Sequence, residues 1–171
     1  VPESFDIVVV GAGPAGAAAA LSAARGGRSV CLLERGPFPG AKNMYGGVTY
    51  PAVLNELVPG WWDEMPVERW ITRRSTMVAT ESQSVTIDVQ ADEWGVPPYN
   101  GATTLRSKLD SWLAAKAVDA GAVLVTSTTA TALLRDPAGR VVGVRTDRPE
   151  GDISATVVIA CDGVNSFLAK E

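Results

Sequence analysis

The sequence predicts an α/β protein: a parallel sheet interrupted by an antiparallel β insertion. Three observations carry this. Residues 5–10, FDIVVV, are a short apolar run rich in β-branched residues, the pattern of a strand buried on both faces. An Ala-rich stretch over 14–26 and a second apolar run over 29–34, SVCLLE, follow at once, and strand, helix and strand in this span make a βαβ unit. Farther on, 67–89 is less purely apolar and shows alternation at Val85, Ile87 and Val89, which suits an antiparallel pair with one wetter face.

The elements follow in order. The first strand covers 5–10. The first helix covers 14–26, with Pro14 in its first turn, where a missing N–H costs nothing, and Gly26 and Gly27 at its end. The second strand, 29–34, should run parallel to the first through a right-handed crossover. Residues 35–50 read as a loop dense in Gly and Pro. A short helix spans 52–58 and is closed by Pro59 and Gly60. Strands are expected at 67–80 and 83–89, joined near Glu81 and Ser82, and 90–104 reads as loop, with Pro97, Pro98 and Gly101. Leu105, Leu109, Trp112, Leu113 and Ala117 mark one face of a helix over 105–120, capped by Gly121. Strands follow at 122–125, 128–135 and 140–146, with Asp136 to Gly139 as a hairpin turn, then at 155–161. A last helix opens at Asn165 or Ser166. This divides the chain into a main α/β domain, 1–50 with 103–171, and an insertion over 51–102.

Composition narrows the function. The 171 residues are 46% hydrophobic and 20% charged, enough to build a core and too apolar for disorder. A net charge of −4 lacks the basic face that a nucleic-acid partner needs. The absence of histidine removes a Ser-His-Asp triad, a histidine general base and a histidine-ligated metal. Two cysteines, Cys31 and Cys161, are too few for a four-cysteine zinc site or an iron–sulfur cluster, so no metal site is expected. Both sit in apolar strands and read as inert thiols. Residues 7–24 carry no charge, but Glu3 and Asp6 precede them and Gly11, Gly13, Pro14 and Gly16 interrupt them. Neither a signal peptide nor a membrane span fits that pattern.

The chemistry starts at Gly11-Ala12-Gly13-Pro14-Ala15-Gly16, a GxGxxG turn that joins the first strand directly to the first helix. Gly11 allows the tight turn, Gly13 lets the backbone approach a pyrophosphate, and Gly16 lets the helix pack close to the sheet. The helix N-terminus offers unpaired N–H groups and partial positive charge. Glu34 ends the second strand and can accept hydrogen bonds from both hydroxyls of a ribose. A carboxylate there repels a 2′-phosphate, so the expected ligand is FAD or NAD, not NADP. A plain NAD dehydrogenase would continue with another parallel strand and helix. Here a long loop and an antiparallel pair intervene, which favours a flavoprotein.

Four segments carry a family resemblance: DIVVVGAGPAGAAAA with LLERG, PGAKNMYGG at 39–47, LRSKLDSWLAAKAVDAGA at 105–122, and VVIACDGVNSFLAK at 157–170. On these the chain resembles the N-terminal part of the FAD-dependent oxidoreductases related to p-hydroxybenzoate hydroxylase and geranylgeranyl reductase. Within them it is most similar to the Fix-type group and to electron-transfer flavoprotein–quinone oxidoreductases; the second segment and the run FLAK point to that group. The resemblance implies a Rossmann-like FAD-binding domain of the glutathione-reductase-like class, the insertion being part of a second, substrate domain.

It also implies site residues. The cofactor would lie against Gly11, Gly13, Pro14, Ala15 and Gly16, with Glu34 at its ribose and Arg35 among the cofactor-binding residues. Arg106 would reach a phosphate or ribose, Ala130 would meet adenine through its backbone, and Asp162 and Gly163 would meet ribityl or pyrophosphate groups. Lys42, Asn43, Gly46 and Gly47 would lie near the flavin ring, where a Lys can stabilise a reduced, anionic flavin. No side chain is assigned as catalytic.

The implied activity is electron transfer between an electron-transfer flavoprotein and quinone or a ferredoxin-like partner. The implied location is the cytoplasm, with peripheral contact at the inner face of the membrane. A prenyl reductase or aromatic monooxygenase, and a dinucleotide-binding module without turnover, remain alternatives. The resembled enzymes are longer, so the chain is expected to be a fragment, inactive by itself, whose exposed strand edges invite self-association.

Overall fold

A computed structural model describes residues 4–170. The chain forms two compact units, one made of the residues up to Met44 together with those from Arg106 onward, the other of Tyr45–Leu105.

The first unit is built on a six-stranded sheet. Its strands are β1 (Ser4–Val10), β2 (Val30–Leu33), β8 (Val123–Val125), β9 (Ala130–Arg135), β10 (Val141–Thr146) and β11 (Ile153–Ala160), in the order β8-β2-β1-β11-β10-β9. The first four in that order run parallel: β1 pairs with β2 from Ile7↔Val30 to Val10↔Leu33 and with β11 from Ser4↔Ser154 to Val10↔Ala160. β10 and β9 close the edge as an antiparallel hairpin. Every residue of β2 is buried, as are Val8, Val9 and Val10 of β1, because both faces of the parallel part are covered. On one face Val8, Val10, Cys31 and Leu33 pack with Val144, Ile153, Ala155 and Leu168.

Helix α1 (Pro14–Arg25) follows β1 and buries Gly16, Ala17, Ala20, Leu21 and Ala24, a single stripe at helical spacing. It packs on β1, β2 and β11 and against α3 (Arg106–Asp119). That helix buries Leu109, Asp110, Leu113, Ala114 and Ala117. Small residues, Gly16, Ala17, Ala20 and Ala24 of α1 and Ala114 and Ala117 of α3, make up much of what the two helices bury.

The second unit contains β3 (Gly46–Thr49), α2 (Leu54–Leu57), β4 (Arg69–Trp70), β5 (Arg73–Ala79), β6 (Ser84–Gln90) and β7 (Ala102–Leu105). β3, β7 and β4 form one antiparallel sheet, and β5 with β6 a separate hairpin. Trp61 is fully buried, its Nε1–H donates to Asn55 Oδ1 at 2.9 Å, and it lies against Trp62 and Trp70. Trp70 in turn stacks on Tyr99 at 3.8 Å.

Four expectations need correction. Residues 46–49 and 102–104, read as loop, lie in strands that pair with each other from Gly46↔Leu105 to Thr49↔Ala102. Their partner lies more than fifty positions away, so no local signal marks them. The strand expected over 67–80 divides at Ile71, whose N–H donates to Gly101 O at 2.8 Å; β4 joins β7 and β5 joins β6. Leu105, assigned to the buried helix face, ends β7 and is 40% exposed. In place of a last helix from residue 165 there is a single 3-10 turn, Leu168–Lys170. Asp162 Oδ2 and Ser166 Oγ take the N–H groups of Phe167 and Ala169 there.

Candidate functional site

Three parallel strands, β1, β2 and β11, end on the same side of the sheet, which is where α/β folds place ligands. A cavity of about 490 Å³ opens there, entirely within the first unit. Its walls are the β1–α1 turn (Gly11, Gly13, Pro14, Ala15), the end of β2 (Leu33, Glu34, Arg35), and a loop carrying Gly40, Lys42 and Asn43. Arg106, the stretch Thr128–Thr129–Ala130, and the segment after β11 (Cys161, Asp162, Gly163, Asn165, Phe167) complete it.

The turn is shaped by packing. Gly11 has φ +98, and a Cβ there would stand 2.5 Å from Cys161 O. A Cβ on Gly16 would collide with Gly11 O. Gly11 N–H donates to Leu33 O at 2.8 Å and Cys161 N–H to Val10 O at 2.8 Å, so all three strand ends are tied together. The first helical bond of α1 runs from Ala17 N–H to Gly13 O at 2.9 Å. The N–H groups of Ala15 and Gly16 precede it, and no side chain caps the helix. Those donors and the helix dipole suit a phosphate.

Glu34 is anchored as well as available. Its Oε2 accepts Ala12 N–H at 3.1 Å and its Oε1 accepts Gly36 N–H at 2.6 Å. Two backbone donors therefore fix the carboxylate at the cavity rim, and each oxygen keeps a lone pair for a ribose hydroxyl.

Arg106, the first residue of α3, is held by Asp110 one turn on. Nε donates to Oδ1 at 2.7 Å and Nη2 to Oδ2 at 2.9 Å. A Cβ on Gly13 would come within 3.5 Å of that same Nη2, so the guanidinium lies beside the glycine turn. Asn43 Nδ2 donates to Asp110 Oδ2 at 2.8 Å, and Ser111 Oγ donates to Pro39 O at 2.8 Å. Gly40, at φ +88, has the backbone of Arg106 and Ser107 against it, with no room for a side chain. The loop bearing Lys42 is thereby strapped to α3.

Asp162 tests the fit of a cofactor. Its Oδ2 accepts Phe167 N–H at 3.1 Å, while its Oδ1 is buried with no hydrogen-bond partner. Buried acceptors are almost always satisfied, and this one lies at a cavity wall, where a ligand hydroxyl can donate to it. Burial and the Asp162 carboxylate both push the Cys161 thiol above its ordinary pKa, which disfavours the thiolate and any nucleophilic role.

Of the residues named from the sequence, the cavity gathers Gly11, Gly13, Pro14, Ala15, Glu34, Arg35, Lys42, Asn43, Arg106, Ala130, Asp162 and Gly163. Gly16 stands behind them, in the buried face of α1. Gly46 and Gly47 are strand residues of the second unit, paired with Leu105 and Thr104. The sequence reading missed Thr128, Thr129, Asn165, Phe167 and Asp110. The signal for Asp110 was present: its i,i+4 spacing from Arg106 on an otherwise apolar helix face.

The chain matches the family described as FAD dependent oxidoreductase over residues 6–169. It is 44% identical over 170 residues to Protein FixC of Escherichia coli K12, covering 99% of this chain and 39% of that protein. It is 42% identical over 170 residues to the probable electron transfer flavoprotein-quinone oxidoreductase YdiS of the same organism, covering 98% and 38%. This chain therefore spans about two fifths of the length of these relatives. Among solved structures, a geranylgeranyl bacteriochlorophyll reductase-like protein of Thermoplasma acidophilum superposes with a TM-score of 0.83 at 26% identity, over 99% of this chain and 42% of that one. Aklavinone-11 hydroxylase, solved with FAD and aklavinone, shares the fold at a TM-score of 0.71 and 23% identity, over 98% and 34%. The glycine turn, the anchored acid and the open acceptor of Asp162 thus stand in a protein whose cofactor is FAD, and the chain belongs to the FAD dependent oxidoreductase family.

Proposed function

We propose that this chain is the FAD-holding part of a flavoprotein that passes electrons from an electron-transfer flavoprotein to quinone or to a ferredoxin-like carrier. The observation that carries the reading is the make-up of the cavity. It presents a phosphate turn, an anchored ribose acceptor and an unsatisfied carboxylate oxygen, with no histidine anywhere in the chain to move protons. When bound, the flavin supplies the redox chemistry, and the protein's part is to bind, orient and tune it.

In this reading the α1 turn and Arg106 hold the pyrophosphate, Glu34 the adenosine ribose, Ala130 the adenine, and Asp162 and Gly163 the ribityl or phosphate groups. Lys42, an exposed cation on the strapped loop, offers positive charge to the flavin edge. The name of the YdiS relative supports electron-transfer flavoprotein and quinone as partners. Quinone is a membrane solute, so the protein would work peripherally at the inner face of the cytoplasmic membrane. Among the described residues no helix is long and apolar enough to cross a membrane.

The likeness to a reductase-like protein at a TM-score of 0.83 favours a second reading, reduction of a prenyl chain. Stopped-flow mixing of the full-length protein with reduced electron-transfer flavoprotein and a short-chain quinone separates them. Quinone-dependent reoxidation supports the first reading. Reduction of a prenyl substrate without it supports the second. A protein that binds FAD and does neither is a binding module.

A further inference from the structure

Asp110 is the one fully buried carboxylate among the described residues. A charge removed from water is tolerated only with several partners, and Asp110 has them on two sides. Its oxygens take the Nε and Nη2 of Arg106 at 2.7 and 2.9 Å, and Oδ2 also takes Asn43 Nδ2 at 2.8 Å. One oxygen therefore joins the arginine beside the phosphate turn to the loop that carries Lys42. Arg106 keeps 29% of its side chain exposed toward the cavity, whereas Asp110 keeps none.

We propose that Asp110 is a positioning residue for the cofactor's pyrophosphate. It touches no ligand itself. It fixes the guanidinium beside Gly13 in one orientation, and acts on the pyrophosphate through that guanidinium alone. The inference rests on the reading that this cavity holds the pyrophosphate of FAD. Unfixed, Arg106 would keep its charge but lose the fixed fork that places donors at the turn, so affinity for the diphosphate should fall although no binding group is deleted.

The test is a double-mutant cycle read by titration of ADP and of FAD into the folded chain, with circular dichroism of each variant. Asp110→Asn and Arg106→Ala are each expected to weaken ADP binding about tenfold, and the double variant to be no weaker than Arg106→Ala alone. A merely structural Asp110 would give penalties that multiply, because damage to the fold persists when the arginine is gone. Multiplying penalties, or ADP affinity in Asp110→Asn equal to wild type, would overturn the proposal.

Should Asp110→Asn fail to fold, Arg106→Lys keeps the charge and removes the fork. A several-fold loss of ADP affinity then supports the proposal, and wild-type affinity overturns it. If the wild-type chain binds FAD but not ADP, the pyrophosphate assignment falls and the proposal falls with it. Wild-type ADP binding with an unaffected Asp110→Asn overturns the proposal and leaves the cavity reading standing.

Discussion

At the scale of single residues the site is governed by where a side chain cannot go. Gly11 combines a left-handed φ of +98 with a neighbouring carbonyl at 2.5 Å from any Cβ. Gly11→Ala should therefore cost about 2 kcal/mol or more, from backbone strain and from prising the β1 and β11 ends apart. The expected result is a lowered Tm together with loss of FAD retention on desalting. An alanine variant with wild-type Tm and bound flavin would show that the turn adapts. The sequence marked this glycine by its spacing, yet it could not name what crowds it, because Cys161 is 150 positions away and reaches Gly11 only through the pairing of β1 with β11. The same holds for Glu34. Its place at a strand end was legible, but its two backbone anchors, Ala12 and Gly36, come from turns whose course is set by packing.

At the scale of elements, α1 and α3 pack on each other and both bury small residues. Ala17 and Ala20 of α1 and Ala114 and Ala117 of α3 are fully buried. Ala20→Leu should overpack the buried face of α1 and cost about 1–3 kcal/mol, read as a lower midpoint in urea with an unchanged slope. An unshifted midpoint would mean that the packing around α1 has slack.

The β9–β10 hairpin gives a pH test. The Arg140 side chain, then the backbone N–H groups of the turn, hold the Asp136 carboxyl below its ordinary pKa. A carboxyl whose pKa is depressed on folding stabilises above its unfolded value, and the benefit disappears as pH falls through the folded one. The Tm difference between wild type and Asp136→Asn should thus be largest near neutral pH and vanish in the acid range below the ordinary carboxylate value. A difference that persists unchanged in acid would assign the effect to turn geometry instead of charge.

Elements with a strong local period or a clear stop, such as α1 and β1, were legible in the sequence. The four-residue strands β3 and β7 were not, since β3 pairs with β7 and β7 in turn with β4, all from distant stretches of the chain.

For the whole molecule, binding and stability are linked. A ligand that binds only the folded state at about a hundred times its Kd adds roughly 2.7 kcal/mol, which for a chain of this size raises Tm by about 5–11 °C. Differential scanning fluorimetry with and without FAD measures this directly. No shift at saturating FAD would mean that residues beyond this chain are needed to close the site.

The sequence by itself determined the βαβ unit, its glycine turn, the acid at the end of the second strand and the class of cofactor. These follow from hydrophobic period and from residues whose backbone or charge permits few alternatives. Only the tertiary structure decided that Cys161 and Asp162 stand against Gly11, that Asp110 ties Arg106 to the Lys42 loop, and that Gly46 and Gly47 belong to a strand. Those facts depend on parallel pairing and helix packing between distant segments. Such contacts are selected by the burial of the whole core and leave no mark in a local window.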